Sequence, residues 1–277
     1  MALPAGACDA HCHLFGPEDR FPYRPDRTYD PPDKPLEAYE QLRRQLGLAR
    51  AVFVQPAVYG ADHAAMVEAI ARGSGRYRGV GIVGDAISDA QLESLHAAGL
   101  RGARFNFVGH LGAAPEIASV RRTAARIAAL GWHLVFHVDA ESLRRHAEEF
   151  AAIECPFVID HMARLDATAG VGQPGFVALL ELVGNPLCWI KISGADRMVA
   201  GAADLATAIP FARALAQAAP DRTLWGTDWP HPNARFVPNE HDLIDLLVAA
   251  VPDPEQRRAI LVDNPARLYD FSDEAVA

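Results

Sequence analysis

Eight short runs rich in β-branched and aromatic residues recur along the chain, with helix-spaced stretches between them, and this alternation most constrains the fold. The runs are CDAHCHLF (8–15), AVFVQPA (51–57), GVGIVG (79–84), GARFNF (102–107), HLVFHVD (133–139), PFVIDHM (156–162), LCWIKIS (187–193) and TLWGTDW (223–229). Between them LEAYEQLRRQLGL, AAMVEAIARGSG, SDAQLESLHAAGL, ASVRRTAARIAALG, ESLRRHAEEFAAI and AADLATAIPFARALAQ place apolar residues at helical intervals, and several end at glycine. Strand and helix alternate without a break that would mark a second core, so a parallel sheet with helices outside is expected. Eight such units in 277 residues is the arithmetic of an α/β chain folded as a single (β/α)8 TIM barrel, one domain over residues 1–277. The rival is an open doubly wound sheet, but no glycine-rich phosphate loop follows the first strand. The longest irregular stretch, residues 16–35, carries six prolines and follows strand 1. At that length it is expected to be an active-site wall or a disordered segment.

Composition narrows the partners. Half the residues are hydrophobic, enough for a sizeable core, and 26 basic against 35 acidic residues leave a formal charge of -9. That balance offers no basic footprint for nucleic acid or an anionic membrane surface. There is no long apolar run and no basic start leading into one, so a cytoplasmic location is expected. The four cysteines, Cys8, Cys12, Cys155 and Cys188, are too scattered to staple the chain and read as reduced thiols. Oligomeric state stays open.

In a barrel the chemistry sits at the C-terminal ends of the strands. His11 and His13 stand there on strand 1, Arg104 and Asn106 on strand 4, His137 on strand 5, His161 on strand 6 and Asp228 on strand 8. Side chains alternate along a strand, so His11 and His13 share a face, and Cys8 and Cys12 are expected on the opposite one. Four imidazoles and a carboxylate around one mouth make either a ligand set for a borderline metal or a metal-free polarising and general-base set. A lone HxH is a weak signal; its coincidence with three later strand ends carries the reading. His63, His96, His133, His146 and His241 fall on helices or at a strand start and are assigned to surface or packing, whereas His110 and His231 sit on strand-end loops that can line the pocket. A guanidinium at position 104 needs an anion, either an acidic side chain of the protein or a substrate carboxylate. Arg197 could supply a second fork, and Tyr29 of the long loop could close over a ligand.

At these residues the chain resembles the amidohydrolase superfamily, in its branch of pyrone-dicarboxylate, sulfomuconolactone and sugar lactonases. CDAHCHLFGP, RFNFVGHL, IDHMAR, KISGADR and GTDWPHP carry the likeness over essentially the whole length. The resemblance implies a distorted (β/α)8 barrel and hydrolysis of a small anionic lactone. It further implies Asp228 as base to water, His11, His13 and His161 around the scissile carbonyl, and Arg104, Arg197 and Tyr29 gripping substrate carboxylates, with Asn106 and His110 beside them. Three positions depart from the pattern: Gly109 and His110 stand where a second arginine is expected, Ala57 replaces a hydroxyl, and His137 takes the place of a tyrosine. With His137 present, one divalent ion, zinc or manganese, held by His11, His13, His137 and Asp228 is open beside a metal-free mechanism. A binuclear centre is disfavoured, since no lysine ends strand 4. Rival activities are a metal-dependent decarboxylase of an aromatic or muconate acid, a sugar-acid lactonase or a lactone isomerase; a non-catalytic scaffold would be expected to lack Asp228 or His161.

Overall fold

A computed structural model describes residues 3–271. Eight parallel strands run in sequence order around one sheet: β1 (Cys8–Cys12), β2 (Arg50–Val54), β3 (Tyr77–Gly81), β4 (Leu100–Asn106), β5 (His133–His137), β6 (Phe157–Ile159), β7 (Cys188–Lys191) and β8 (Thr223–Leu224). All eight runs read from the sequence become strands. The sheet closes on itself where Ala10 N–H donates to the Trp225 carbonyl, Asp228 N–H to that of His11 and His13 N–H to that of Trp229. This is the expected (β/α)8 barrel.

Helices α1 (Leu36–Leu46), α2 (Ala64–Ala71), α3 (Asp89–Ala97), α4 (Ile117–Ala128), α5 (Ala140–Ala151), α6 (Pro174–Val183), α7 (Ile209–Ala218) and α8 (Glu240–Ala250) surround it. Among the described residues no helix is long and apolar enough to cross a membrane. Alternation along each strand divides the core into two layers. Phe53, Ala103, Leu134, Phe136 and Ile190 face outward to the helices, while Val52, Val54, Val80, Val135, Val158, Trp189 and Leu224 fill the barrel interior. Leu268, Tyr269 and Phe271 plug the end where the strands begin. Arg50 and Arg78 hold that plug, their guanidinium carbons 5.0 and 4.8 Å from the Phe271 ring centroid.

The first strand breaks the alternation. Asp9 pairs with Ala51 but Cys12 with Phe53, so β1 carries one residue more than β2 between those points. The resulting β-bulge switches the side-chain phase. Cys8 and Ala10 point into the barrel with Val52, and Cys12 packs outward among the helices. The expectation that Cys8 and Cys12 share the outer face is therefore corrected for Cys8. The bulge turns His11 and His13 toward the mouth above an apolar interior layer, with His13 in the pocket lining and His11 fully buried behind it. Asp9 stabilises it: Oδ1 accepts from the backbone N–H of His11 (3.2 Å) and of Thr227 (2.9 Å), and Oδ2 from the hydroxyls of Thr227 (2.7 Å) and Tyr39 (3.1 Å). Gly226 is needed alongside, because a Cβ there would lie 2.5 Å from the His11 nitrogen.

Candidate active site

Period-two alternation turns inward residues at or just beyond the ends of β4 to β8 toward one mouth: Arg104, His137, Asp160, Lys191 and Asp228, with His11 and His13 from the bulged strand. All seven are buried. Strand β6 then ends in an unusual device. His161, Met162, Ala163 and Arg164 all have positive φ, between 49° and 55°, a left-handed turn built without glycine. Each such residue costs about 1–2 kcal/mol. Asp228, at φ 61°, shares the strain, and strain of this kind persists only where packing holds it, commonly at functional sites. The turn delivers both His161 and Arg164 to the pocket lining. Gly194, at φ 67°, makes room, since a Cβ there would stand 2.7 Å from the Cβ of His161.

Asp228 is the hub. Its Oδ2 accepts from Arg197 Nε (3.0 Å) and Nη2 (2.8 Å). Its Oδ1 faces three imidazole nitrogens, His13 Nε2 at 3.3 Å, His161 Nε2 at 3.6 Å and His11 Nε2 at 3.7 Å. Burial pushes the Asp228 carboxyl up, but His161, Arg197 and His13 outweigh it and hold the group well below the usual carboxylate range. Burial also lowers the imidazoles, against the pull of the neighbouring carboxylates: His161 to about 4, His13 below its ordinary value, His11 and His137 well below theirs. At neutral pH the site therefore holds an ionised carboxylate among neutral imidazoles.

The hydrogen bonds define which nitrogen carries each proton. His13 Nδ1 lies 2.7 Å from the Val54 carbonyl, which can only accept, so the neutral ring has its lone pair on Nε2. His137 Nδ1 donates to the Asn106 amide oxygen at 3.2 Å, leaving a buried Nε2 without a hydrogen-bond partner. His161 Nδ1 meets the Ser193 hydroxyl at 3.0 Å.

Behind this layer lie groups the sequence reading left unassigned. Lys191 Nζ is 3.0 Å from Asp160 Oδ1 and 3.2 Å from His11 Nδ1, all three residues fully buried. Arg104 Nη2 stands 3.5 Å from Asp160 Oδ2, so the anion that Arg104 requires is at least partly the protein's own. An ammonium inside the apolar run CWIKI was the available signal for Lys191, and Asp160 sits next to His161 in IDHMAR. No such signal existed for Arg164, whose position depends on the left-handed turn.

The mouth is a confined cavity of about 30 Å³. His13, Tyr29, Arg104, His110, His137, His161, Arg197 and Asp228 line it as the sequence suggested, together with Ala57 and Arg164. Asn106 orients His137 and is not a lining side chain. His231 is buried to one side, its Nδ1 3.5 Å from Asp196 Oδ2. The proline-rich segment 16–35 forms a wall: Phe15 and Lys34 exchange backbone hydrogen bonds at its base (3.0 and 2.7 Å), and Tyr29 reaches the pocket.

A mononuclear catalytic metal asks for three converging protein ligands. Three groupings bring potential ligand atoms within 4.8 Å of one another: His11, His13 and Asp228; His11, Asp160 and His161; and Asp196, Asp228 and His231. Among the described residues His137 enters none. In the second grouping Lys191 already supplies the cation to Asp160, and in the third Arg197 contacts both carboxylates, at 3.3 and 2.8 Å. In the first, Lys191 can only donate to His11 Nδ1, which places the ring proton of a neutral His11 on Nε2, the atom a metal would need. As arranged here the donor set does not fit a resident divalent ion.

A parallel barrel that converges imidazoles and a strained carboxylate at its strand ends defines a hydrolytic enzyme of the (β/α)8 type. The chain belongs to the amidohydrolase family, which it matches over residues 8–271. It is 43% identical to a 2-pyrone-4,6-dicarboxylate hydrolase of Comamonas testosteroni, covering 96% of this chain and 91% of that one. A 4-sulfomuconolactone hydrolase of Hydrogenophaga intermedia is 37% identical, with 97% and 90% covered. An apo crystal structure from Agrobacterium tumefaciens superposes with a TM-score of 0.87 at 28% identity, over 98% of each chain.

Proposed function

We propose that this enzyme opens a carboxylate-bearing lactone ring, of the 2-pyrone-4,6-dicarboxylate or muconolactone type, with Asp228 as general base. The relatives named for such lactones support the substrate class. The observation that carries the reading is Asp228 itself, with Oδ2 fixed by Arg197 and Oδ1 turned to His13, His161 and His11 at 3.3–3.7 Å. An ionised carboxylate oriented in this way can accept a proton from water without moving.

The proton positions refine the roles expected from the sequence. With its lone pair on Nε2, His13 accepts rather than donates, so it joins Asp228 in aligning the water. His11 and His161 face the carbonyl oxygen. The water oxygen adds to the carbonyl carbon and its proton passes to Asp228. Negative charge develops on the carbonyl oxygen, where a preorganised donor is worth on the order of 3–4 kcal/mol. The ring C–O bond then breaks, the leaving oxygen takes back the proton, and an open-chain carboxylate results. No carbon–carbon bond breaks and no carbon dioxide leaves, which separates this reaction from decarboxylation.

Recognition of the substrate rests on cations. Arg104 and Arg197 are partly engaged with Asp160 and Asp228, though Arg104 Nε has no hydrogen-bond partner. Arg164 lines the same mouth, and among the described residues it has neither an ion pair nor a hydrogen bond. A cation largely withdrawn from water needs an anion. We assign Arg164 to a substrate carboxylate, with Arg104, Arg197 and Tyr29 as further contacts. The test compares the free acid and the methyl ester of each lactone. The acid should be preferred by roughly tenfold or more in kcat/KM; equal turnover of acid and ester would refute carboxylate recognition.

A further inference from the structure

The metal ligand set fails at His11 because of a residue for which a lactonase mechanism built on histidines and Asp228 has no use. We propose that Lys191 is a positioning residue that fixes the ring proton of His11 on Nε2. The mouth then presents an N–H donor to the lactone carbonyl where a metal-binding arrangement would present a lone pair. The inference rests on the lactonase reading for what that donor polarises.

The geometry is directional. Lys191 extends inward from the end of β7, above Trp189, and is fully buried. Its Nζ meets His11 Nδ1 at 3.2 Å. An ammonium has only protons to give, so Nδ1 must be the acceptor. Asp160 Oδ1 also stands 3.3 Å from Nδ1, but neither Asp160 oxygen meets hydrogen-bond geometry with any partner, so the carboxylate holds its neighbours by charge. The chain of donors continues consistently. His11 Nε2 lies 3.3 Å from His13 Nε2, and His13 has already given its Nδ1 proton to the Val54 carbonyl at 2.7 Å. Only one direction satisfies all three contacts: Lys191 to His11, His11 to His13, His13 to Val54. His11 is fully buried and does not itself line the pocket, so a lactone carbonyl oxygen meets its N–H only at the bottom of the mouth, where it takes the place of His13 as acceptor.

Asp160 completes the arrangement. The next step of the β6–β7 register beyond Ile159 and Ile190 sets Asp160 beside Lys191. Burial draws the Lys191 ammonium below its ordinary value, and the Asp160 carboxylate, 3.0 Å from Nζ, works against that and favours the charged, purely donating form. A buried ammonium 3.2 Å behind the imidazole also strengthens its outward N–H as charge builds on the carbonyl oxygen.

The tautomer can be read directly. In protein carrying ¹⁵N-labelled histidine at neutral pH, the His11 signals, identified by their loss in His11→Gln, should show an unprotonated Nδ1 and a protonated Nε2. A wild-type His11 protonated on Nδ1 overturns the proposal, whatever the substrate proves to be. Lys191→Met alone would strand a buried carboxylate, so the paired change Lys191→Met with Asp160→Asn removes both charges together. It should abolish the fixed tautomer and lower kcat by roughly 10²-fold, as loss of a preorganised donor does, with KM within about threefold. Lys191→Gln, likewise paired with Asp160→Asn, keeps an amide donor and should retain the Nε2 proton and recover at least about tenfold of that loss. A paired Lys191→Met variant with wild-type tautomer and kcat would show that Lys191 serves packing alone. Failure of every lactone to react, with the Nε2 proton in place, would count against the substrate reading and leave the tautomer assignment standing.

Discussion

Arg197 grips Oδ2 of Asp228 through two nitrogens, at 3.0 and 2.8 Å, and so divides the carboxylate into a fixed oxygen and a working one. Oδ1 alone faces the imidazoles. The guanidinium also helps keep Asp228 ionised in a buried place where burial by itself would favour the neutral acid.

Removing that cation should move the acid limb of the rate profile. With its acidity reduced in Arg197→Met, Asp228 takes up its proton at a higher pH, so the base is lost earlier as pH falls. The acid limb of kcat should rise by about one pH unit or more, alongside a loss of rate at neutral pH. An unmoved limb would mean that Arg197 does not set the ionisation of Asp228.

Arg164 and Arg104 should separate when each is changed to Met. Arg164 has no partner among the described residues, so Arg164→Met should leave the melting temperature unchanged and raise KM for a lactone acid by roughly one to two orders of magnitude. Arg104→Met removes a counter-charge of buried Asp160 and should also cost stability. Thermal unfolding and steady-state kinetics on both variants check this; equal KM for Arg164→Met and the parent would remove Arg164 from the site.

The bulge in β1 depends on one carboxylate. Asp9→Ala orphans the buried N–H groups of His11 and Thr227, at roughly 1–3 kcal/mol each. Asp9→Asn keeps an oxygen for those two donors, and the hydroxyls of Thr227 and Tyr39 can rotate to meet the amide. Melting curves should therefore show a large loss for Asp9→Ala and less than half of it for Asp9→Asn. Equal losses would mean that charge, and not the acceptor at the bulge, is what Asp9 contributes.

The eight strands and most of the mouth were legible because period-two alternation and strand-end polarity are local patterns, and His11, His13, Arg104, His137, His161, Arg197 and Asp228 all sit where that counting puts them. Counting failed where the backbone departs from the regular. The bulge after Asp9 reverses phase, so Cys8 faces inward although strict alternation puts it outside. Four consecutive left-handed residues after Asp160 contain no glycine or asparagine to announce them, and Arg164 stayed invisible as a lining residue. Lys191 and Asp160 had a signal, two charges at inward positions of apolar strands, but their partnership spans different strands and emerges only once β6 and β7 lie side by side.

Ring opening in ¹⁸O-labelled water tests the central claim most directly, run on 2-pyrone-4,6-dicarboxylate and 4-sulfomuconolactone with the parent enzyme and Asp228→Asn. The parent should open at least one of these rings, placing one solvent oxygen in the new carboxylate and releasing no carbon dioxide. The nearly isosteric Asp228→Asn should keep the fold and substrate binding but turn over about 10²-fold more slowly or worse. A parent enzyme inert toward both lactones, or an Asp228→Asn variant as fast as the parent, would contradict the account.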